Sequence, residues 1–189
     1  MTIREKMKNG MLYTDLGEGL DEERINCKEL LFDYNNTRPS QEAERKELLK
    51  KLLGSCGENI WIEPNLRMAY GKNTYIGENF YANFNLVVVD DIEVYIGDNV
   101  MIAPNVTITA TGHPVDPDLR KGGAQFSIPV KIGNDVWIGS NVVILPGITV
   151  GDNSVIGAGS VVTKDIPSNV VAVGNPCKVL REINERDKE

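Results

Sequence analysis

The sequence predicts a mainly β protein built as a stacked, three-sided coil, with a small helical segment before it and a loop extruded from it. Aliphatic residues recur at every sixth position over most of the chain, and glycine, asparagine and aspartate fall between them. Two extra residues, Val94 and Tyr95, shift the register once, and the longest interruption of the period follows residue 113. A six-residue period is neither the 3.6-residue period of a helix nor the two-residue period of a flat strand, so a coil with six-residue sides explains it best.

The first 58 residues differ from the rest in composition. Charged residues interleave with apolar ones such as Ile25, Leu30 and Leu31, which is typical of amphipathic helices. We predict two or three helices here, with Ser40 as an N-cap. We therefore divide the chain into an N-terminal helical segment, residues 1–58, and a coil domain with a C-terminal tail, residues 59–189.

The six-residue period defines the predicted core of the coil. One aliphatic residue on each side would point to the axis, and stacked coils would bury a continuous column. Corner residues such as Gly133-Asn134-Asp135 suit the unusual backbone angles of tight turns. The predicted inward positions are Ile62, Met68, Ile76, Ala82, Val88, Ile96, Ile102, Ile108, Ile132, Ile138, Ile144, Val150, Ile156 and Val162.

The interruption after His113 predicts an extruded loop near residues 114–131. Continued through this segment, the period would place Pro114, Arg120 and Phe126 on the axis, and an unpaired charge cannot be buried there. Loops of this length are usually functional.

Composition and charge exclude several classes of partner and location. The net charge of −7 opposes binding to nucleic acid and to anionic membranes, so we expect neither as a partner. We find no signal-peptide pattern and no apolar run near the roughly 20 residues of a membrane span, so we expect a cytoplasmic protein. Cys27, Cys56 and Cys177 fit neither a disulfide framework nor a zinc pattern, and we predict no metal site.

Several long segments resemble the maltose and galactoside O-acetyltransferases, namely TGHPVDPDLRKGG, IGNDVWIGSNVVILPGITVGDNSVIGAGSVVTKDIP and NVVAVGNPCKVLREI. The likeness extends to KMKNGMLYTD and FYANFNLVVVDD, and so covers nearly the whole chain. It implies a left-handed parallel β-helix of hexapeptide repeats, a homotrimer with active sites in clefts between subunits, and acetyl-CoA as co-substrate for acetylation of a sugar such as maltose, glucose or a galactoside.

His113 is the predicted catalytic base. It is the chain's single histidine, and free imidazole, with a pKa of about 6.5, can accept a proton at neutral pH. A hydroxyl that attacks a thioester must lose its proton, which is work that histidine commonly does. The motif Thr-Gly-His-Pro also stands where the family carries its base. The sequence has no Gly-x-Ser-x-Gly elbow and no second histidine, so direct attack in a ternary complex is the simpler mechanism.

The resemblance assigns roles to further residues. Asp15, Asn83 and Asp91 would contact the acceptor. In the coenzyme cleft, Ser140 would offer its backbone N–H to the developing oxyanion, and Lys164, Lys178 and Arg181 would bind the coenzyme phosphates. The residues implied for the coenzyme cleft are Asn83, Trp137, Ser140, Ala158, Thr163, Lys164, Lys178 and Arg181.

One position departs from the family pattern. Ala69 stands where the relatives carry serine or aspartate toward the sugar, which leaves the acceptor open. A non-sugar hydroxyl, as in serine or a xenobiotic alcohol, is the main alternative, because fold alone does not decide the substrate. A noncatalytic binding scaffold is a further one. A zinc enzyme of the γ-carbonic anhydrase kind would need three histidine ligands, and the chain has one.

Overall fold

The computed structural model describes residues 1–188. Its N-terminal part contains α1 (Ile3–Lys8), α2 (Leu20–Asn36) and α3 (Glu42–Leu52). The predicted N-cap Ser40 is wrong, because Gln41 precedes the first turn of α3 and no side chain caps that helix. The Gln41 side chain instead accepts a hydrogen bond from the backbone N–H of Arg38 at 2.6 Å.

The rest of the chain consists mostly of strands of two to five residues. A short helix, α4 (Pro117–Lys121), lies in the extruded loop, and a 3-10 helix covers Glu185–Lys188. The strands are β1 (Ser55–Cys56), β2 (Ile60–Ile62), β3 (Arg67–Met68), β4 (Thr74–Ile76), β5 (Phe80–Ala82), β6 (Val87–Val89), β7 (Val94–Ile96), β8 (Met101–Ile102), β9 (Thr107–Thr109), β10 (Thr111–Gly112), β11 (Phe126–Ser127), β12 (Val130–Ile132), β13 (Trp137–Ile138), β14 (Val143–Ile144), β15 (Thr149–Val150), β16 (Val155–Ile156), β17 (Val161–Val162), β18 (Val170–Val173) and β19 (Lys178–Glu182).

Three parallel sheets form the sides of the coil. Sheet 1 has the order β1-β4-β7-β12-β15, sheet 2 the order β19-β18-β16-β13-β8-β5-β2, and sheet 3 the order β17-β14-β9-β6-β3. From β1 to β17, apart from β10 and β11, successive strands visit the three sheets in turn, so each coil adds one strand to each sheet. Only β19 runs antiparallel to its neighbour in these sheets of the described chain. The predicted mainly β, parallel β-helix fold is confirmed.

The core is the predicted aliphatic column. All of the predicted inward positions are buried, and the most exposed of them, Met68, retains only 7% of its surface. Asparagines at the corners adopt the left-handed conformation, as at Asn79 (φ 55°) and Asn99 (φ 57°). The side-chain amide of Asn79 also donates to Oδ1 of Asn99 at 2.9 Å, so one coil fixes the corner of the next.

The extruded loop is confirmed and has internal order. β10 pairs antiparallel with β11, and α4 forms the tip between them. The chain rejoins sheet 1 at β12, where Val130 pairs with Val94, so the last two residues of the predicted loop belong to a strand. We call residues 111–127 the base hairpin, because His113 follows its first strand.

The N-terminal helices pack onto the first coil and share its core. Cys27 and Leu31 of α2 and Leu52 of α3 belong to the same buried cluster as Ile62. β1 pairs with β4 and begins at Ser55, inside the predicted helical segment, and the boundary at residue 58 stays a prediction. Among the helices of residues 1–188, none has the length and hydropathy to cross a membrane.

Candidate functional site

His113 stands at the mouth of the base hairpin with its side chain exposed. Its Nδ1 atom lies 2.8 Å from the carbonyl oxygen of Ala124. A carbonyl oxygen can only accept a hydrogen bond, so Nδ1 carries a proton, and in the neutral imidazole Nε2 then keeps its lone pair. The structure therefore holds His113 in a tautomer that can accept a proton at Nε2.

The pairing of the hairpin strands places Ala124 within reach of His113. Thr111 pairs with Ser127 and Gly112 pairs with Phe126, which brings the following residues of the two strands together. Gly112 is required here, because a Cβ atom at this position would lie 2.7 Å from Cζ of Phe126. A larger residue would displace the ring and shift the strand that carries His113.

Asp91 and Asp15 lie together beside the base hairpin. Asp91 follows β6 at the corner between sheet 3 and sheet 1, which is also the corner from which the hairpin leaves the coil. Burial raises the pKa of Asp91, a hydrogen bond with the Thr111 side chain lowers it, and the charge of Asp15 raises it again. Asp15 pairs with Arg24, whose NH1 atom lies 3.1 Å from its Oδ2. The two predicted acceptor carboxylates thus share one polar cluster.

Ala69 and its neighbour Tyr70 lie close to this cluster. Both backbone N–H groups donate to Oδ1 of Asp90, at 3.1 and 2.9 Å, and burial raises the pKa of Asp90 to about 6. The hydroxyl of Tyr70 accepts from Arg24 at 2.7 Å. The aspartate beside Asp91 therefore braces a turn and does not replace the polar side chain missing at Ala69.

A cavity of about 260 Å³ opens next to Asp91. Its lining combines cations, carboxylates and an amide, which can donate to and accept from a polyhydroxylated ligand. A larger cavity of about 360 Å³ lies between α2 and the first coil and contains none of the predicted site residues. The cavity beside Asp91 is lined by Arg4, Met7, Lys8, Asn73, Tyr75, Asp91, Ile92 and Glu93.

The predicted coenzyme residues lie on another part of the coil. Asn83 follows β5, Ser140 follows β13 and Ala158 follows β16, so all three occupy the corner between sheet 2 and sheet 3. Trp137 projects from sheet 2 with 54% of its surface exposed. The side-chain oxygen of Asn83 accepts from the backbone N–H of Phe84 at 2.8 Å, which fixes the plane of its amide.

Ser140 has a free backbone donor. The neighbouring N–H groups of Gly139 and Asn141 donate to Ile156 and Pro104. Across residues 1–188, the N–H of Ser140 donates to no protein acceptor. A free N–H at a partly exposed turn is suited to stabilising a developing oxyanion.

The cations of the predicted coenzyme cleft are exposed but not equally available. Lys178 and Arg181 lie on β19 at the end of sheet 2, and Lys164 follows β17 with Thr163. Arg181 is already paired with Asp187, at 2.7 Å from NH1 and 2.5 Å from NH2. This bidentate contact, together with the backbone N–H of Asn184, lowers the pKa of Asp187 to about 2. A phosphate that binds Arg181 would have to share the guanidinium with Asp187 or displace it.

The predicted residues thus occupy two corners of one chain. His113, Asp15 and Asp91 lie at the corner between sheets 3 and 1, whereas Asn83 and Ser140 lie between sheets 2 and 3. One side of six residues separates the corners, up to about 20 Å if extended. The sequence did not reveal that Ala124 orients His113, because a backbone carbonyl carries no residue signature.

Comparisons with known proteins agree along the whole chain. A family model described as the maltose acetyltransferase hexapeptide capping motif matches residues 6–57. A model for the bacterial transferase hexapeptide, six repeats, matches residues 129–164. The chain is 58% identical over 188 residues to a galactoside O-acetyltransferase of Escherichia coli (strain K12), which covers 100% of this chain and 93% of that protein.

Solved structures show the same relation. A galactoside acetyltransferase in complex with coenzyme A superposes with a TM-score of 0.98 at 58% identity, over 100% of this chain and 94% of that one. A maltose O-acetyltransferase from Clostridium difficile 630 gives a TM-score of 0.95 at 52% identity, over 98% and 99%. At this identity and coverage, the chain belongs to the hexapeptide-repeat family of maltose and galactoside O-acetyltransferases, which are acetyl-CoA-dependent acyltransferases.

Proposed function

We propose that the protein transfers an acetyl group from acetyl-CoA to a sugar hydroxyl, and that His113 removes the hydroxyl proton during direct attack. The observation that carries this proposal is the bond from Nδ1–H of His113 to the carbonyl of Ala124, which leaves Nε2 free to accept a proton, on the same hairpin whose Thr111 lies near Asp91. The sugar acceptors named for the galactoside and maltose relatives support the substrate class.

The residues divide the chemistry between them. Acetyl-CoA supplies a thioester whose carbonyl carbon forms the new bond to the acceptor oxygen as the bond to sulfur breaks. Nε2 of His113 takes the hydroxyl proton and returns it to the departing sulfur. The free N–H of Ser140 would stabilise negative charge on the carbonyl oxygen. Asp15 and Asp91 would hold the sugar by accepting from its other hydroxyls.

The residues present fit the coenzyme. Lys164 and Lys178 offer exposed cations for phosphate, and the exposed face of Trp137 offers an apolar wall. No atom lies within 4 Å of the point where a Cβ on Gly159 would be, so the backbone beside Ala158 is open to a ligand. These features support acetyl-CoA binding along sheet 2 and its corner with sheet 3.

We further propose that each site is shared between two subunits of a homotrimer. His113 and Asp91 lie at one end of the strands of sheet 3, and the coenzyme residues Asn83 and Ser140 lie at the other end. Neighbouring chains would bring the two ends together. Light scattering should report about three times 20.9 kDa. A fully active monomer at assay concentration would refute the shared site.

A mixing experiment tests this arrangement directly. We expect His113→Ala alone and an Asn83→Ala, Trp137→Ala double variant alone to be nearly inactive. After joint refolding in equal amounts, about a quarter of the clefts should combine an intact half from each chain and regain activity. Mixing without refolding is the control. No recovery in a mixed trimer shown by mass spectrometry to contain both chains would contradict the proposal.

The phosphate contact makes a second prediction. Lys178→Ala should weaken acetyl-CoA binding by roughly threefold to tenfold at low salt, a modest loss because the site is exposed and screened. The difference in acetyl-CoA affinity between Lys178→Ala and the native protein should shrink as the salt concentration rises. Lys51→Ala, a surface change on α3, serves as the control. Calorimetric titration that showed equal affinities for both variants would place the phosphate elsewhere.

The identity of the acceptor has its own test. Ala69 favours a second candidate, transfer to a non-sugar hydroxyl as in serine or a xenobiotic alcohol. A screen of sugars and other alcohols, with free thiol release as the readout, separates the two. Absence of thiol release with every acceptor would leave the noncatalytic scaffold. The cytoplasmic location stays a prediction.

A further inference from the structure

Tyr13 joins the N-terminal segment to the base hairpin. Its backbone N–H donates to the carbonyl of Gln125 at 3.0 Å, and the N–H of Gln125 donates back at 2.8 Å. Tyr13 therefore forms an isolated antiparallel β-bridge with Gln125, the residue that precedes β11. Gln125 directly follows Ala124, whose carbonyl accepts from His113. The backbone at Ala124 and Gln125, which orients the proposed base, is thus held by hydrogen bonds to the N-terminal segment.

The side chain of Tyr13 makes a second connection to the hairpin. The ring is 2% exposed, and its hydroxyl lies 2.5 Å from Oγ of Ser127, which is also 2% exposed. Oγ of Ser127 lies 2.9 Å from Oγ1 of Thr111, whose side chain lies near Asp91. The three hydroxyls form a chain that ends at Thr111, near a proposed acceptor carboxylate.

Each of the three hydroxyls can donate one hydrogen bond and accept another, so all three can be satisfied in one arrangement. Removing the Tyr13 hydroxyl would leave the buried hydroxyl of Ser127 without one of its two partners, at a place where water cannot easily replace it.

We propose that Tyr13 is a positioning residue for acetyl transfer, which holds both the carbonyl that orients His113 and the hydroxyl chain that fixes Thr111 beside Asp91. The inference rests on the proposed roles of those two residues. Tyr13 touches neither reactant in this scheme. It acts by keeping the proposed base and an acceptor contact in one fixed geometry, for which small displacements cost rate.

Tyr13→Phe tests the hydroxyl while keeping the ring. We expect kcat/KM for the acceptor to fall about tenfold, the usual cost of a lost buried hydrogen bond, with KM for acetyl-CoA unchanged. Tyr95→Phe makes the same chemical change at an exposed tyrosine of sheet 1 and should behave as the native protein. An acceptor kcat/KM within twofold of native in a folded Tyr13→Phe variant would overturn the proposal.

The single histidine provides a readout that does not depend on activity. Nitrogen-15 NMR of the imidazole reports one residue, and the native protein should show Nδ1 protonated and Nε2 free at alkaline pH. Tyr13→Phe should give a mixture of tautomers, and Tyr95→Phe should not. An unchanged imidazole spectrum in Tyr13→Phe would show that the Tyr13 hydroxyl has no influence on His113, and would also overturn the proposal.

Ser127→Ala keeps the test decisive if Tyr13→Phe folds poorly. Alone, Ser127→Ala breaks the same hydroxyl chain and should also lower acceptor kcat/KM, and where both variants fold their effects should be clearly less than additive. Variants that lose thermal stability but keep native kcat/KM would reduce Tyr13 to a structural contact. If the native protein transferred no acetyl group in a His113-dependent way, the proposed function would fail, while the NMR comparison would still decide whether Tyr13 orients His113.

Discussion

Replacing His113 with alanine is expected to lower kcat by roughly 10²–10⁴-fold, the usual contribution of a positioned general base. Acetyl-CoA affinity should stay nearly constant, because the predicted phosphate contacts lie on β17–β19 and the following turns, away from the base hairpin. Stopped-flow rates and calorimetric affinities of the same variant separate the two effects. Loss of coenzyme binding together with rate would make His113 a binding residue.

The pH dependence adds a second measurement to this prediction. In the native protein, kcat/KM for the acceptor should fall toward acid pH, because a protonated imidazole has no lone pair to accept the hydroxyl proton. The variant's residual rate should lack the part of this acid limb due to His113. Near-native rates of His113→Ala with every hydroxyl acceptor tested would end the general-base assignment.

Asp91→Asn is expected to lower kcat/KM for the acceptor by about 10- to 100-fold, because hydrogen bonds to a charged group are stronger than those to an amide. The same change should make the fold more stable at pH 8. Burial raises the pKa of Asp91 above its value in the unfolded chain, so the ionised carboxylate opposes folding. This free-energy cost is absent at pH values below the pKa of Asp91 in the unfolded chain. It grows as the pH rises from there to the higher pKa of the folded protein, and is complete above it.

Urea unfolding at pH 4 and pH 8 checks the stability half of this prediction, and the gain should be larger at pH 8. Asp98→Asn is a matched control, since Asp98 is an exposed corner residue that accepts from the backbone N–H of Glu78, a bond that an amide oxygen can also accept. The Asp98→Asn variant should keep the native kcat/KM for the acceptor. An Asp91→Asn variant with native acceptor kinetics would remove Asp91 from the site.

The sequence predicted the coil well because its physical signal is local and repeated. Each inward position needs a small aliphatic residue and each corner tolerates asparagine or glycine, so the period could be read directly. The tip helix of the loop also had a signal, with Asp116 as N-cap and Pro117 in the first turn, as the structure shows. Ser40 failed because a plausible cap residue does not fix where a helix begins.

The site was predictable only in part. His113 could be identified because its chemistry is rare in this chain, and the carboxylates came from the family resemblance. The contacts that orient them could not be read from the sequence. Ala124 acts through its backbone, and the hydroxyl chain joins Tyr13, Thr111 and Ser127 across more than a hundred residues with no local pattern.

The reversed direction of β19 has a consequence for self-association. A stack of parallel coils ends in unpaired backbone groups, which could template the addition of another chain and so start a filament. β19 covers that end of sheet 2 in the antiparallel sense and carries Lys178, Arg181 and Glu182 on its short length. At the other end, α2 packs against β3 and α3 against β1. Growth of the repeat is thus opposed at sheet 2 on one end and at sheets 1 and 3 on the other, although its period has no built-in limit.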